Sequence, residues 1–244
     1  LPIFLTIKTD FKANLTAIVL LLQKTLVGIA IFGNEKLMGQ GDRVERQSKL
    51  ASLQLNIETL GKVIDSLGNP LDGSTYTLAT KTRNLEVKAP GIIERAPVNE
   101  PLQTGLITVD SMVPLGRGQR ELIIGDRQCG KSTLATDTII NQYRTHIDPD
   151  AIPMFCIYVA IGQKKSSVAR IRAMLENLNC LWYTIIVNAS ASDPATLQYL
   201  APYAGCTIGE WFRDNGHHAL VIYDDLTKQA VAYRQMSLID RKSV

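Results

Sequence analysis

Cysteine is scarce in this chain and has no metal spacing: the four residues, at 129, 156, 180 and 206, form no C-x-x-C pair. They fall on or beside segments that read as core. This suits reduced thiols in an intracellular compartment better than disulfides. His217-His218 has no nearby cysteine or second histidine pair, so it reads as a polar turn before an apolar strand. Long apolar runs are missing as well. The most apolar window, Ala17-Ile18-Val19-Leu20-Leu21-Leu22, lies between Lys12 and Lys24 and is far short of the ~20 residues that span a bilayer. No transmembrane helix is expected. Nor is a cleavable address, since Leu1 opens the chain without methionine and Asp10 interrupts any signal pattern. Charge of one sign is also lacking. A formal net charge of +3, with no basic run or aromatic-rich basic stripe, gives no electrostatic footprint for nucleic acid. The glycosylation triplets Asn14-Leu15-Thr16 and Asn188-Ala189-Ser190 are short enough to recur by chance.

What is present is an ordinary globular balance: 244 residues, 45% hydrophobic and 20% charged. That is enough for one large or two ordinary domains. The pattern changes near residue 100. Before it, short apolar segments at 27–32, 54–57 and 60–64 are separated by Gly33-Asn34, Gly39-Gln40-Gly41-Asp42 and Gly68-Asn69-Pro70, which favours a small β domain over residues 1–87. Residues 88–105, with three prolines and two glycines, read as a linker. From 106 to 244, apolar strands at 122–124, 154–160, 183–187 and 219–223 alternate with helical stretches at 131–143, 166–178, 194–214 and 227–238. That order predicts a parallel α/β core. Pro194 suits the first turn of its helix, and Pro202 is expected to kink it.

Gly125-Asp126-Arg127-Gln128-Cys129-Gly130-Lys131-Ser132 spells G-x-x-x-x-G-K-[ST] between an apolar strand and a helix. A triphosphate needs donors converging from several sides. Glycines at 125 and 130 let backbone N–H groups approach its oxygens, and the helix from Thr133 adds its positive N-terminus. Lys131 is expected to reach the β/γ phosphates and the Ser132 hydroxyl to ligate Mg²⁺. The bland alternative is a glycine-rich turn with a solvated lysine. A second element opposes it: Ala219-Leu220-Val221-Ile222-Tyr223 ends in Asp224-Asp225, as expected of a buried parallel strand delivering a carboxylate toward Mg²⁺. Either acid could instead cap the helix near Thr227. If the motifs act together, the strand at 122–124 lies beside the one ending at Asp224.

Several segments carry a family resemblance: 88–93, 114–128, 156–164, 197–203, 212–216, and 223–226 through 229–237. Together they resemble the α subunit of F-type ATP synthase from about 27 to 238, and Phe32-Gly33-Asn34-Glu35-Lys36-Leu37 is similar to its mitochondrial branch. The resemblance implies a RecA-like P-loop nucleotide-binding core preceded by a small β-barrel domain. It further implies Mg²⁺ with ATP or ADP held by Gly125 to Thr133, Gln163 and Asp224, with Asp224 reaching the metal through water and a cis peptide after it. The implied partners are β subunits and a γ stalk in an α3β3 hexamer, peripheral to the matrix side of the mitochondrial inner membrane. Contact with the membrane is then only indirect.

Related β subunits place a glutamate at the strand-end position that matches Gln163, and a carboxylate there orients or deprotonates the attacking water. An amide cannot accept that proton, so the resemblance implies binding without turnover. Taken alone, Gln163 could equally be a polar strand terminus. Cys129 stands where the family has threonine, at a position contributing chiefly backbone. Residues 1–26 match poorly, so the barrel is expected to be partial. After Ser237 the family continues into further core strands, an adenine-contacting region and an arginine finger, so the core is expected to be truncated. The alternatives are an autonomous RecA-like motor ATPase of helicase or secretion type, which would carry an acid at Gln163, and a nonfunctional truncated remnant.

Overall fold

The computed structural model describes residues 3–8, 14–33, 37–73, 82–85, 87–126 and 128–241. In chain order the strands are β1 (Ile3–Lys8), β2 (Asn14–Leu22), β3 (Val27–Phe32), β4 (Arg43–Leu50), β5 (Ser52–Gln54), β6 (Val63–Ile64), β7 (Thr82–Asn84), β8 (Pro101–Leu102), β9 (Leu115–Gly116), β10 (Met154–Gln163), β11 (Thr184–Ser190) and β12 (His218–Asp224). The helices are α1 (Ile107–Met112), α2 (Lys131–Asn141), α3 (Tyr143–Ile147), α4 (Lys165–Asn177), α5 (Ala195–Asp214) and α6 (Leu226–Arg241).

A period-two pattern builds the first sheet. On β1, Leu5 and Ile7 are buried while Lys8 is exposed, and β2 buries Leu15 and Ala17 against them. The sheet is antiparallel with order β3-β2-β1-β4. The apolar run at 17–22 thus forms most of β2. Strand β4 was not foreseen because Arg43, Glu45, Arg46 and Gln47 interrupt it. It is held from β1 by an ion pair between Lys8 and Glu45 at 2.8 Å and by a hydrogen bond from the Gln47 amide to Thr6 Oγ1.

The second sheet is parallel, with order β12-β10-β11-β6. Both of its faces are covered, so β10 is almost continuously apolar and both β10 and β11 are buried along nearly all of their lengths. One face packs α5 through Leu200, Ala201, Ala204, Ile208 and Phe212. There the helix comes so close that a Cβ at Gly205 would lie 2.3 Å from Val159 Cγ2. α5 runs through Pro202 as one helix. The opposite face packs Ile139 of α2 and Val168 and Leu175 of α4.

Strand β6 comes from the first third of the chain yet pairs in parallel with β11, Val63 opposite Ile186. Side-chain bonds also join early segments to α5. Ser66 Oγ donates to Leu197 O at 2.7 Å, Thr196 Oγ1 donates to Ile31 O at 2.9 Å, and Arg83 bonds Glu210 and Asp214 at 3.1 and 2.5 Å.

The expected strand at 122–124 does not form. Leu122, Ile123 and Ile124 are 67%, 45% and 86% exposed, and neither they nor any other described residue pairs with the free side of β12. Three apolar residues have β propensity, but a strand exists only in a ladder, and no partner strand reaches this one.

Candidate functional site

The phosphate-loop segment ends on α2. Gly130 caps that helix with φ of 91°, in the left-handed region that a side chain resists, which accounts for glycine there. Gln128 also has positive φ, at 64°, while Arg127 lies outside the described residues. Lys131 folds back into the loop. Its Nζ donates to the carbonyls of Gly125 and Asp126 at 2.6 and 2.5 Å and lies 3.7 Å from Cys129 Sγ. Cys129, Ser132 and Thr133 are exposed.

Although 122–124 forms no strand, the loop and the strand-end acid still converge. Ser132 Oγ donates to Asp224 Oδ2 at 2.6 Å. Register explains the meeting: Ala160 of β10 lies opposite Asp224 of β12, and side chains of this parity face α2 and α4. The two neighbouring acids then divide their work. Asp225 Oδ1 accepts from Thr227 N at 2.6 Å and Lys228 N at 3.3 Å, so it caps α6 and leaves Asp224 free to serve the loop. The peptide joining them is cis.

Gln163, the last residue of β10, donates its Nε2 to the Asp224 carbonyl at 3.2 Å. It therefore sits against the same acid as Ser132. Tyr158, a residue the sequence reading passed over, is the further member. It is fully buried, and its hydroxyl donates to Asp224 Oδ2 at 2.6 Å. Burial, reinforced by the Asp224 carboxylate, pushes its phenol well above the ordinary range, so it stays protonated. The available signal was a lone tyrosine in the aliphatic run Ile157-Tyr158-Val159-Ala160-Ile161.

Hydroxyl and carboxylate oxygens are donors suited to a hard cation such as Mg²⁺. Asp224 Oδ2 takes two protein hydrogen bonds, while Oδ1 takes none among the described residues. No group of three or more His, Cys, Asp or Glu residues able to hold a metal occurs among the described residues. A cation here would therefore draw its remaining ligands from phosphate and water, the usual habit of Mg²⁺.

A family model for the nucleotide-binding domain of the ATP synthase alpha/beta family matches residues 105–244, more than half of the chain. That stretch holds the loop, Tyr158, Gln163 and Asp224. A glycine-rich loop opening a helix and meeting a strand-end acid of a parallel sheet, within a matched nucleotide-binding domain, makes this chain a nucleotide-binding member of the ATP synthase alpha/beta family.

Proposed function

We infer that the chain is a non-catalytic, α-type subunit of the F-type ATP synthase that binds Mg-ATP or Mg-ADP beside catalytic β subunits. In this reading residues 125–133 cradle the phosphates. Lys131 would bind the β/γ phosphates, and Ser132 directly and Asp224 through water would hold Mg²⁺. The metal supplies charge neutralisation at the phosphates. The core is RecA-like, and the antiparallel sheet of β1 to β4 is the remnant of a small barrel. The assembly is an α3β3 hexamer around a γ stalk, on the matrix side of the mitochondrial inner membrane.

The observation that carries the non-catalytic reading is Gln163. It stands at the end of β10, with its amide nitrogen 3.2 Å from the Asp224 carbonyl. An amide there can hold a water but cannot accept its proton, so nucleotide should bind while hydrolysis is slow. The amide also already donates to the backbone of the strand that carries the acid, which fits a role in holding the site together.

A steady-state phosphate-release assay tests this, with Lys131→Ala as the contamination control. The expected result is no turnover above that control. Robust turnover abolished by Lys131→Ala would replace this reading with an autonomous motor ATPase. Loss of Mg-ATP binding in the parent chain would leave only the nonfunctional remnant. In the assembled complex, Gln163→Glu is expected to raise hydrolysis at this site if the amide is the limiting element.

A further inference from the structure

We propose that Tyr158 is a positioning residue that, by pinning Asp224, makes the nucleotide site select Mg²⁺ over Ca²⁺. The inference rests on the nucleotide-binding reading above and concerns which cation accompanies the nucleotide.

Two hydroxyls converge on one carboxylate oxygen. Tyr158 and Ser132 each donate to Asp224 Oδ2 at 2.6 Å, one from the buried strand β10, the other from the exposed start of α2. The two donors differ in freedom. Ser132 sits on a loop-to-helix junction that must rearrange around phosphate. Tyr158 is fully buried in an inner strand of the parallel sheet and its ring cannot follow such a movement. Its hydroxyl therefore fixes the rotation of the carboxylate whatever the loop does. The main-chain carbonyl of Asp224 is restrained separately by Gln163, so backbone and side chain of the acid are each held by β10.

A carboxylate held this way presents Oδ1 in one direction. Mg²⁺ demands near-ideal octahedral geometry at short distance, so an acid that orders a coordinated water in one place favours it. Ca²⁺ accepts more ligands, longer distances and irregular geometry, so it gains little from a fixed acid. Removing the phenolic hydroxyl while keeping the ring lets the carboxylate rotate about its bond to the chain. That loss should fall on Mg²⁺ and largely spare Ca²⁺. A tyrosine that merely filled the core would show no such difference, because weakened packing acts on every ligand alike.

The experiment is ADP titration by calorimetry of the full chain and of Tyr158→Phe, each in Mg²⁺, in Ca²⁺ and in chelator, with thermal melting recorded alongside. The expected result is about a tenfold loss of Mg-ADP affinity in Tyr158→Phe, with Ca-ADP and metal-free ADP affinities within about twofold of the parent. Equal losses in both metals, or no loss in either, would overturn the proposal. A parent chain that binds no ADP under any condition would overturn the nucleotide-binding reading itself, and this inference with it. If Tyr158→Phe fails to fold, the parent labelled with ¹³C at tyrosine Cζ supplies the second measurement. A slowly exchanging phenolic proton that shifts more with Mg-ADP than with Ca-ADP supports the proposal, and one that shifts equally or not at all overturns it.

Discussion

Strand β1 buries Leu5 and Ile7 and turns Lys8 to water, whereas β11 buries all seven of its residues. The difference follows from what covers each sheet. The antiparallel sheet can leave part of a face wet, so alternate positions are free to be polar, as Lys8 and Glu45 are. The parallel sheet lies between α5 on one face and α2 with α4 on the other, so no position of its inner strands is free. The candidate site gathers where that constraint ends. Gln163 and Asp224 are the last residues of β10 and β12, the first positions where side chains can turn toward a ligand rather than a helix.

The largest expected effect tests parity. Ile185 and Ile186 are adjacent on β11, fully buried, and belong to core clusters on opposite faces. Ile185→Ala and Ile186→Ala should each cost about 2–5 kcal/mol in denaturant unfolding. On β1, Ile7→Ala should cost a similar amount while Lys8→Ala is nearly silent. A silent substitution at either β11 position would break the contrast. Next comes Lys131→Ala. It should weaken Mg-ATP binding by roughly 1.5–3 kcal/mol in calorimetric titration, about 10- to 150-fold, while leaving the melting temperature of the free chain nearly unchanged. Indistinguishable affinities would sink the loop assignment.

Gly205→Ala sharpens the helix side of the comparison. The added Cβ would meet Val159 Cγ2 at 2.3 Å, an overpacking expected to cost about 1–3 kcal/mol of stability in the same unfolding assay. The pH response should be smaller. His146 stacks on Tyr183 at 4.5 Å and its Nε2 donates to Met154 O at 2.8 Å. Burial holds its pKa below the ordinary 6.5, only partly opposed by that carbonyl. A depressed folded pKa means the unfolded chain takes up the proton first. Stability is therefore full above about 6.5 and declines as the pH falls below it toward the folded value. Melting scans from about pH 7.5 to 5.5 should show this decline, and His146→Gln should flatten it. The smallest effect is expected from Glu45→Gln. Its carboxyl is held below the usual range by the hydrogen bond from Lys8, but the pair is exposed, so no measurable change in melting temperature is expected.

The parallel half was largely legible, because β10, β11 and β12 are apolar runs that only a doubly covered sheet needs, and α4, α5 and α6 follow each in turn. Strand β4 was hidden because Arg43, Glu45 and Arg46 carry no apolar period, and cross-strand pairing is a non-local property. The segment 122–124 erred the other way, since its composition says strand while its pairing depends on a partner elsewhere. In the candidate site, the meeting of Ser132 with Asp224 was readable from the two motifs. Tyr158 was not, because its role depends on the register of β10 against β12. Nor could spacing tell which of Asp224 and Asp225 would cap α6, a matter of which backbone N–H groups lie within reach.

The placement of β6 at the outer side of β11 bears on how the chain must fold. Gly61 N donates to Thr184 O at 2.9 Å and Ile186 N donates to Lys62 O at 3.0 Å, so the ladder closes only when segments remote in sequence find each other. Such closures come late and slowly, because the entropy of a long loop is lost before any bond rewards it. Until then the unpaired N–H and C=O groups along the edge of β11 stand open to any passing strand. Detaching the nucleotide-binding half near residue 105 would make that exposure permanent, turning a transient folding hazard into a standing site of aggregation.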